Sequence, residues 1–202
     1  MSKFIRGCFA LALILIFSSS ADCRELTTYM AVSGGVAMLD DADMTDSTSP
    51  STRYNLEYDP GYFIGLAFGN HVDKIRFEAE IGYQKNKVDS LNINGVNYTV
   101  TSYNELRLTT LMFNLYYDFK NGSRFTPYLS AGLGLGNMKL DGVDKSDAVG
   151  EYQFGAGVAF QISDRITLDL KGRYLGTTDA EFDTLDLDFT TIDAIFDVRF
   201  YF

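Results

Sequence analysis

The segment QFGAGVAFQISDRITLDLKGRYL, residues 153–175, carries the pattern that decides the fold. Before the polar turn at Ser163, every second residue is apolar or small, beginning at Phe154. After the turn, charged residues recur with the same period, at Asp169, Lys171 and Arg173. A period of two is typical of strands whose two faces meet different surroundings, whereas a helix repeats every 3.6 residues. The segment therefore predicts a β-hairpin with one apolar and one charged face.

The same period continues along the chain after residue 25. It predicts eight strands, at Leu26–Leu39, Tyr58–Gly69, Ile75–Val88, Glu105–Phe119, Thr126–Leu140, Gly150–Ile162, Ile166–Thr177 and Leu187–Phe202. Each is long enough to cross a bilayer as a tilted strand, which takes about 9–11 residues. The predicted fold class is all-β, an eight-stranded antiparallel up-and-down transmembrane barrel.

The predicted connections alternate between short and long. The short ones are Asn70–Lys74, Lys120–Phe125 and Ser163–Arg165, and the long ones are Asp40–Glu57, Asp89–Asn104, Asp141–Val149 and Thr178–Asp186. Tight periplasmic turns and longer external loops are typical of outer-membrane barrels. Both termini then face the periplasm. We expect the Ser-, Thr- and Asp-rich part of the first long loop, Thr45–Thr52, to be mobile.

Aromatic residues recur near the predicted strand ends. The strands that descend to the periplasm finish at Phe68, Phe119, Phe160 and Phe202, and the opposite rim has Tyr62, Tyr83, Tyr152 and Tyr174. Aromatic rings favour both interfaces of a membrane barrel, so the two sets predict two girdles. The alternative is the general preference of Phe and Tyr for strands.

Alternation alone leaves open which face points outward. A soluble barrel of the lipocalin type buries its apolar face, whereas a membrane barrel turns that face to lipid. Three features favour the membrane arrangement. They are the predicted signal peptide at the N-terminus, the alternation of short and long connections, and the terminal Phe202. The charged face then lines the lumen with Arg76, Glu78, Glu80, Asp169, Lys171, Arg173, Asp193, Asp197 and Arg199. We assign Arg107 and Glu151 to the same face.

These charges predict a plugged lumen. An eight-stranded barrel is wide enough only for its interior to be filled by side chains, and buried charges must be paired. We expect Gly132, Gly134 and Gly136, which share the inward parity, to make room for long Arg and Lys side chains opposite. The prediction is therefore against a wide diffusion pore, and a narrow or gated path for small solutes stays open as an alternative.

The first 21 residues predict a cleaved signal peptide, with Lys3 and Arg6 before the apolar run Cys8–Phe17 and cleavage after Ala21. Residues 22–202 then form the barrel domain. Loss of Lys3 and Arg6 leaves 15 basic and 27 acidic residues, a net charge of −12. That charge argues against nucleic acid as a partner. Cys23 stays alone, so no intrachain disulfide forms.

The sequence offers little for catalysis. The single histidine, His71, falls in the first periplasmic turn, where we interpret it as solvated, whereas a barrel enzyme needs its histidine near the outer rim. One His and one Cys make no zinc cluster, and the glycine-rich run lies inside a strand. We therefore predict no enzyme activity and no cofactor.

Acidic residues concentrate in the first and last long loops, which barrel closure brings near each other. Our hypothesis is that divalent cations bind there and bridge the rim to lipopolysaccharide. The candidate ligands are Asp41, Asp43, Asp46, Asp183 and Asp186. The spacing of the first three lacks the glycine and distal glutamate of an EF-hand. The alternative is a solvated acidic rim that repels like-charged surfaces.

Four segments resemble the opacity-type, porin-like family of outer-membrane β-barrels. They are TPYLSAGLGLG at 126–136, residues 153–175, RFEAEIGY at 76–83 and DVRFYF at 197–202. The resemblance covers the chain after its leader. It implies the bacterial outer membrane, no catalytic residue, and insertion by the assembly machinery that reads the last strand and Phe202. Members differ most in their external loops, so adhesion does not carry over.

The expected function is a structural or surface-interaction role, adhesion or recognition, through the external loops. The expected partners are outer-membrane lipid, lipopolysaccharide and a host or environmental ligand. The first alternative is a narrow porin-like channel. An enzyme and a soluble ligand-binding barrel are the others.

Overall fold

The computed structural model describes residues 26–39, 42–45, 53–93, 96–99, 105–140, 146–178, 180–182, 185–187 and 190–202. Their strands are β1 Leu26–Leu39, β2 Ala42–Thr45, β3 Arg53–Val72, β4 Ile75–Ile93, β5 Val96–Thr99, β6 Glu105–Asp118, β7 Phe125–Leu140, β8 Ser146–Ser163, β9 Ile166–Thr177, β10 Ala180–Phe182, β11 Leu185–Leu187 and β12 Thr190–Tyr201. No helix among these residues is long and apolar enough to span a membrane. The predicted leader, residues 1–21, lies outside this part of the chain.

Eight of the strands close into a barrel. The ring runs β1, β3, β4, β6, β7, β8, β9, β12 and returns to β1, and every pairing is antiparallel. Each strand therefore has a partner on both sides, so the ring has no open sheet edge. The predicted eight-stranded antiparallel barrel is confirmed.

The burial of side chains alternates with the strand period and is inverted relative to a soluble barrel. Outward apolar side chains stay exposed, with Leu133 at 70 % and Leu170 at 65 % of their full accessibility. Inward charged side chains are covered, with Arg76 at 1 %. Because exposing leucine to water is unfavourable, the outer wall is built for an apolar solvent.

Two aromatic girdles bound this apolar wall. Rings contact each other in the upper girdle between Tyr62 and Tyr83, and between Tyr152 and Tyr174, at centroid distances of 6.3 and 6.4 Å. In the lower girdle, Phe125 lies 4.7 Å from Phe160. We take the wall between the girdles as the membrane-crossing part of the barrel.

The outer hairpins contain more strand than the sequence predicted. The loop predicted at Asp40–Glu57 includes β2, which pairs with Arg53–Leu56 of β3, and β4 continues to Ile93. Of the segment Thr45–Thr52 that we expect to be mobile, Thr45 is in β2, and residues 46–52 lie outside the described residues. Beyond the membrane both faces of a hairpin meet water, so backbone pairing continues without the apolar alternation that a prediction needs.

Candidate functional site

Charged side chains join opposite walls of the lumen at mid-height. Glu80 on β4 faces Arg173 on β9, with Oε1 3.1 Å from the Arg173 Nη1, and its Oε2 lies 3.9 Å from the Lys171 Nζ. Strands β4 and β9 are four places apart in the ring of eight, which is the full diameter. These pairs therefore span the lumen.

Both cations of this bridge have a second carboxylate on the neighbouring strand β12. Arg173 donates from Nε to Asp193 at 2.7 Å, and the Lys171 Nζ lies 3.6 Å from Asp197. The guanidinium of Arg173 also stacks 4.1 Å from the ring centroid of Phe63. Because each cation meets two carboxylates, the bridge compensates charges that burial would otherwise make very costly.

Arg76 is held below this bridge by a carboxylate and two rings. Its Nε donates to both oxygens of Asp118 at 3.1 Å, and its guanidinium lies 4.2 and 4.7 Å from the ring centroids of Tyr116 and Tyr128. Stacking on aromatic faces is a geometry that the planar guanidinium favours. The arrangement fills the lower lumen.

Glu78 is solvated by neutral donors. The hydroxyls of Tyr29 and Tyr116 donate to its carboxylate at 2.8 and 2.7 Å, and the Asn114 amide donates at 3.4 Å. No described cation lies within ion-pair distance of it. Hydrogen bonds replace the lost water of this carboxylate, which is the alternative to pairing for a buried charge.

Arg199 and Asp169 form a two-pronged pair near the periplasmic mouth. The guanidinium donates from Nε at 2.6 Å and from Nη2 at 2.8 Å, while its Nη1 donates to the Tyr201 hydroxyl. Below it opens a cavity of about 420 Å³. Its lining includes His71, Asp118, Lys120, Thr167, Arg199 and Tyr201.

His71 lies in the wall of this cavity, beneath the lower girdle. Its side chain is 20 % exposed, and its Nε2 is 3.3 Å from the Oδ2 atom of Asp118. Burial lowers the pKa of His71, and the Asp118 carboxylate opposes that shift. The predicted periplasmic position is right, but the predicted solvated turn is wrong, because β3 continues to Val72 and turns His71 inward.

Apolar side chains close the outer mouth of the lumen. Leu106, Leu108, Met138 and Leu175 form a buried cluster, with Leu39 packed against it. Glu151 is buried near this level, and its carboxylate lies against Gly136. Within the part of the chain that the structure describes, neither oxygen of that carboxylate has a hydrogen-bond partner.

All nine side chains predicted to form the lumen charge network are buried inside the barrel. The structure adds Asp118, which was not among the predicted lumen residues. Its alternation with Tyr116 and Asn114 in the run NLYYDF was the available signal. Counting Asp118 and Glu151, the described lumen holds seven buried carboxyl groups and four buried cations.

Two assignments of the sequence analysis were wrong. Arg107 points outward and contacts Glu105 at 3.0 Å, since its neighbours Leu106 and Leu108 occupy the inward positions. Gly132, Gly134 and Gly136 do face inward, but their neighbours are Asn114, Met112 and Glu151 rather than Arg or Lys. The space that these glycines leave is taken by adjacent strands, not by the opposite wall.

The proposed cation ligands fall mostly outside the described chain. Asp41, Asp46 and Asp183 lie there, and Asp43 and Asp186 are in β2 and β11, whose side chains are not described. The backbones of β2 and β11 do lie beside each other, as barrel closure led us to expect. Within the described residues, no group of three His, Cys, Asp or Glu is placed to hold a metal ion.

The family model of the outer membrane protein beta-barrel domain matches residues 9–200. The chain belongs to this family. The predicted resemblance and the location in the bacterial outer membrane are thereby confirmed, and the exposed apolar wall between the girdles contacts lipid.

Known outer-membrane barrels match this chain in sequence and in fold. The outer membrane protein PagN of Salmonella typhimurium is 36 % identical over 84 residues, which cover 36 % of this chain and 35 % of PagN. The match thus spans about a third of that relative's length. Neisserial surface protein A is 20 % identical, with a TM-score of 0.57 over 86 % of this chain and 97 % of that one. OprG from Pseudomonas aeruginosa is 15 % identical, with a TM-score of 0.55 over 89 % and 98 %.

Proposed function

We propose that this outer-membrane barrel is a closed scaffold that presents its outer hairpins to the surroundings, with a role in adhesion or recognition. The observation that supports this most is the bridge from Glu80 to Lys171 and Arg173. Three charged groups joined across the diameter occupy the space that a solute would need. Moving them apart leaves buried charges uncompensated, which opposes opening.

The apolar cluster at the outer mouth supports the same proposal. A solute that passed the charged bridge would next meet Leu106, Leu108, Met138 and Leu175, which exclude water. The two barriers differ in chemistry, so a solute suited to one is opposed by the other.

The outer hairpins supply the surface for interaction. The longest extension is that of β3 and β4, with β5 paired to the upper end of β4. On the other side the backbone of β2 lies beside that of β11, so these two parts of the first and last connections adjoin each other. We propose that a host or environmental ligand binds there, because binding residues concentrate on loops held by a rigid scaffold.

Conductance across a planar bilayer tests the closed lumen. The wild-type protein is expected to give no single-channel steps. The variant Glu80→Ala/Arg173→Ala/Leu108→Ala/Met138→Ala, which removes one charge of each sign from the bridge and half of the apolar cluster above it, is expected to give steps. Glu105→Ala/Lys85→Ala removes the same charges from the outer wall and should stay silent. Steady steps from the wild-type protein would contradict the proposal.

A narrow channel is the second candidate, and the periplasmic cavity of about 420 Å³ favours it. Such a cavity could serve as the vestibule of a gated path that begins at His71 and Arg199. The wild-type arm of the same experiment decides between the two candidates.

We propose that the protein is not an enzyme. His71 pairs with Asp118 on the periplasmic side, and both groups are engaged with the wall and with Arg76. Hydroxyl groups do line that cavity, on Thr27, Ser123, Thr126, Thr167 and Tyr201, but the cavity is at the periplasmic end, away from the outer rim where a barrel enzyme needs its histidine and nucleophile.

Three proposals from the sequence complete this picture. Residues 1–21 act as a cleaved leader, which mass spectrometry of the purified protein tests.

Phe202, 69 % exposed at the end of the last strand, acts as the assembly signal, so its deletion should reduce insertion. The acidic rim binds Ca²⁺, and a flat calorimetric titration in detergent would refute that proposal.

A further inference from the structure

Buried oxygen atoms without hydrogen-bond partners collect in the upper lumen, between the charged bridge and the apolar cluster of the outer mouth. Within the described part of the chain they are both oxygens of the Glu151 carboxylate, one oxygen of Asp193, and the hydroxyls of Thr110, Thr177 and Thr191. All five side chains are buried, and Glu151 is only 3 % exposed. Because buried polar atoms are nearly always paired, such a group of oxygens indicates bound water or a bound ion.

Most of these oxygens belong to neighbouring strands. Glu151 of β8 pairs in register with Thr177 of β9. The next inward residue of β9 toward the periplasm is Leu175, whose register partner on β12 is Thr191. Glu151, Thr177 and Thr191 therefore follow one another around the wall of the lumen. We call these three residues, together with Thr110, the oxygen layer.

A glycine leaves space beside the Glu151 carboxylate. The carboxylate lies against Gly136 of β7, whose register partner on β6 is Thr110. A Cβ at Gly136 would overlap this carboxylate, and it would lie 3.0 Å from the Cδ1 atom of Leu108. Leu108 belongs to the apolar cluster of the outer mouth. The apolar cluster therefore borders the oxygen layer on its outer side.

No cation of the described lumen is free to pair with Glu151. Arg173 is already bound to Glu80 and to Asp193. Glu78 also has no ion pair, but three neutral donors solvate its carboxylate. The seven buried carboxyl groups of the described lumen exceed its four buried cations. Glu151 is therefore the position where a charge from outside the chain is most needed.

We propose that the oxygen layer binds a small monovalent cation, a sodium or potassium ion, at the Glu151 carboxylate. Protein oxygens can replace the hydration shell of such an ion. Water alone would leave the buried negative charge uncompensated. A proton on one carboxylate oxygen would cancel the charge but leave the three hydroxyls without partners.

A divalent ion fits the oxygen layer less well than a monovalent one. Divalent cations are usually held by several carboxylates, and the residues in view offer no group of three acidic or histidine side chains around one point. One carboxylate with hydroxyls suits a single positive charge. The site is inside the barrel, and it is independent of the ligand proposed for the outer hairpins.

The test measures the unfolding temperature of the full-length protein refolded in detergent. The salts are sodium chloride, potassium chloride and N-methylglucamine chloride at one ionic strength, and the organic cation is too large for the oxygen layer. The wild-type protein should unfold at a higher temperature in sodium or potassium than in N-methylglucamine. Glu151→Gln, which removes the charge and keeps the size of the side chain, should unfold at the same temperature in all three salts.

Two further variants separate the site from a general effect of salt. Glu105→Gln removes one carboxylate from the outer wall as the matched control, and it should keep the full wild-type response. Thr191→Val replaces one hydroxyl of the oxygen layer by a methyl group without a change of charge. It should need about fivefold more sodium or potassium for half of the shift, because one neutral ligand is lost.

The proposal is overturned if the wild-type protein unfolds at one temperature in all three salts, or if Glu151→Gln keeps the response. It is also overturned if Thr191→Val responds at the wild-type salt concentration, or if Glu105→Gln loses the response. A wild-type protein that ignores the cation but becomes more stable from pH 8 to pH 6, when Glu151→Gln does not, would show that a proton occupies Glu151 instead.

Discussion

Strand β4 carries basic residues of two kinds, and they meet opposite surroundings. Arg76 lies inside the barrel at 1 % exposure, with its guanidinium between a carboxylate and two tyrosine rings. Lys85 and Lys87 lie on the outer wall, above the girdle, where water reaches them. Inside, a cation without its partner is costly, so pairing is obligatory. Outside, an ion pair contributes little, so losing a partner has a small cost.

The largest expected effect comes from removing the centre of the lumen bridge. Glu80→Ala leaves Lys171 and Arg173 without their cross-lumen carboxylate, and we expect a loss of about 3–5 kcal/mol in the free energy of unfolding. Urea unfolding in lipid vesicles, followed by tyrosine fluorescence, measures it. Glu105→Ala, which removes the carboxylate that contacts Lys85 and Arg107, is the outer-wall control and should leave the urea midpoint nearly unchanged. Equal shifts of the urea midpoint in the two variants would contradict the distinction between the lumen and the outer wall.

Removal of one hydroxyl that solvates Glu78 should have the next largest effect. Tyr116→Phe deletes the donor at 2.7 Å from that carboxylate, and hydrogen bonds to charged groups are worth about 1.5–3 kcal/mol. Tyr62→Phe on the outer girdle is the control, since its ring keeps the same contacts with lipid. An unfolding free energy that is the same in both variants would mean that water replaces the lost donor.

Glycines sharpen the contrast between the packed lumen and the open wall. A Cβ at Gly69 would lie 2.4 Å from the Tyr29 ring, whereas a Cβ at Gly34 meets nothing within 4 Å. Overpacking costs about 1–3 kcal/mol, so Gly69→Ala should destabilise while Gly34→Ala should not. Heat-modifiable migration in gels ranks the two variants. The contrast fails if Gly34→Ala unfolds at the lower temperature.

The smallest effect concerns pH at the periplasmic mouth, where Asp118, Arg76, Lys120 and Tyr201 surround His71. Burial lowers the pKa of His71 below its ordinary 6.5, so the unfolded chain binds this proton more readily than the folded one. The contribution of His71 to the free energy of unfolding is therefore present above pH 6.5, and it decreases as the pH falls below that value. The wild-type minus His71→Gln difference in unfolding midpoint should therefore decline from pH 7 to pH 5. A flat difference would show that Asp118 offsets the burial.

The sequence predicted the barrel because a period of two records the contrast between lipid and lumen. Lys171, Arg173 and Asp193 were placed correctly for that reason. Arg107 was misplaced because the contrast reverses above the girdle: water lies outside, and the mouth is closed inside by Leu106 and Leu108. In that region, assigning the inward positions of a strand from its charged residues alone therefore gives the wrong face.

The pairings inside the lumen were beyond the reach of the sequence. Glu80 and Arg173 are 93 residues apart and meet only because β4 and β9 stand opposite each other in the ring. Which carboxylate meets which cation depends on register and strand tilt, and neither leaves a local signal. Asp118 was missed although the predicted strand Glu105–Phe119 contains it, because the residues of the same parity before it, Asn114 and Tyr116, are uncharged.

Strands β3 and β4 stay paired beyond the upper girdle, and the length of this pairing sets how far their hairpin extends from the membrane. From Tyr62 back to Arg53 the strand continues for nine residues, and at about 3.3 Å per residue and a tilt near 45° it rises roughly 20 Å. A hairpin of that height extends farther from the membrane than a short turn does. A large molecule approaching the cell surface would therefore contact this hairpin before the other described parts of the chain.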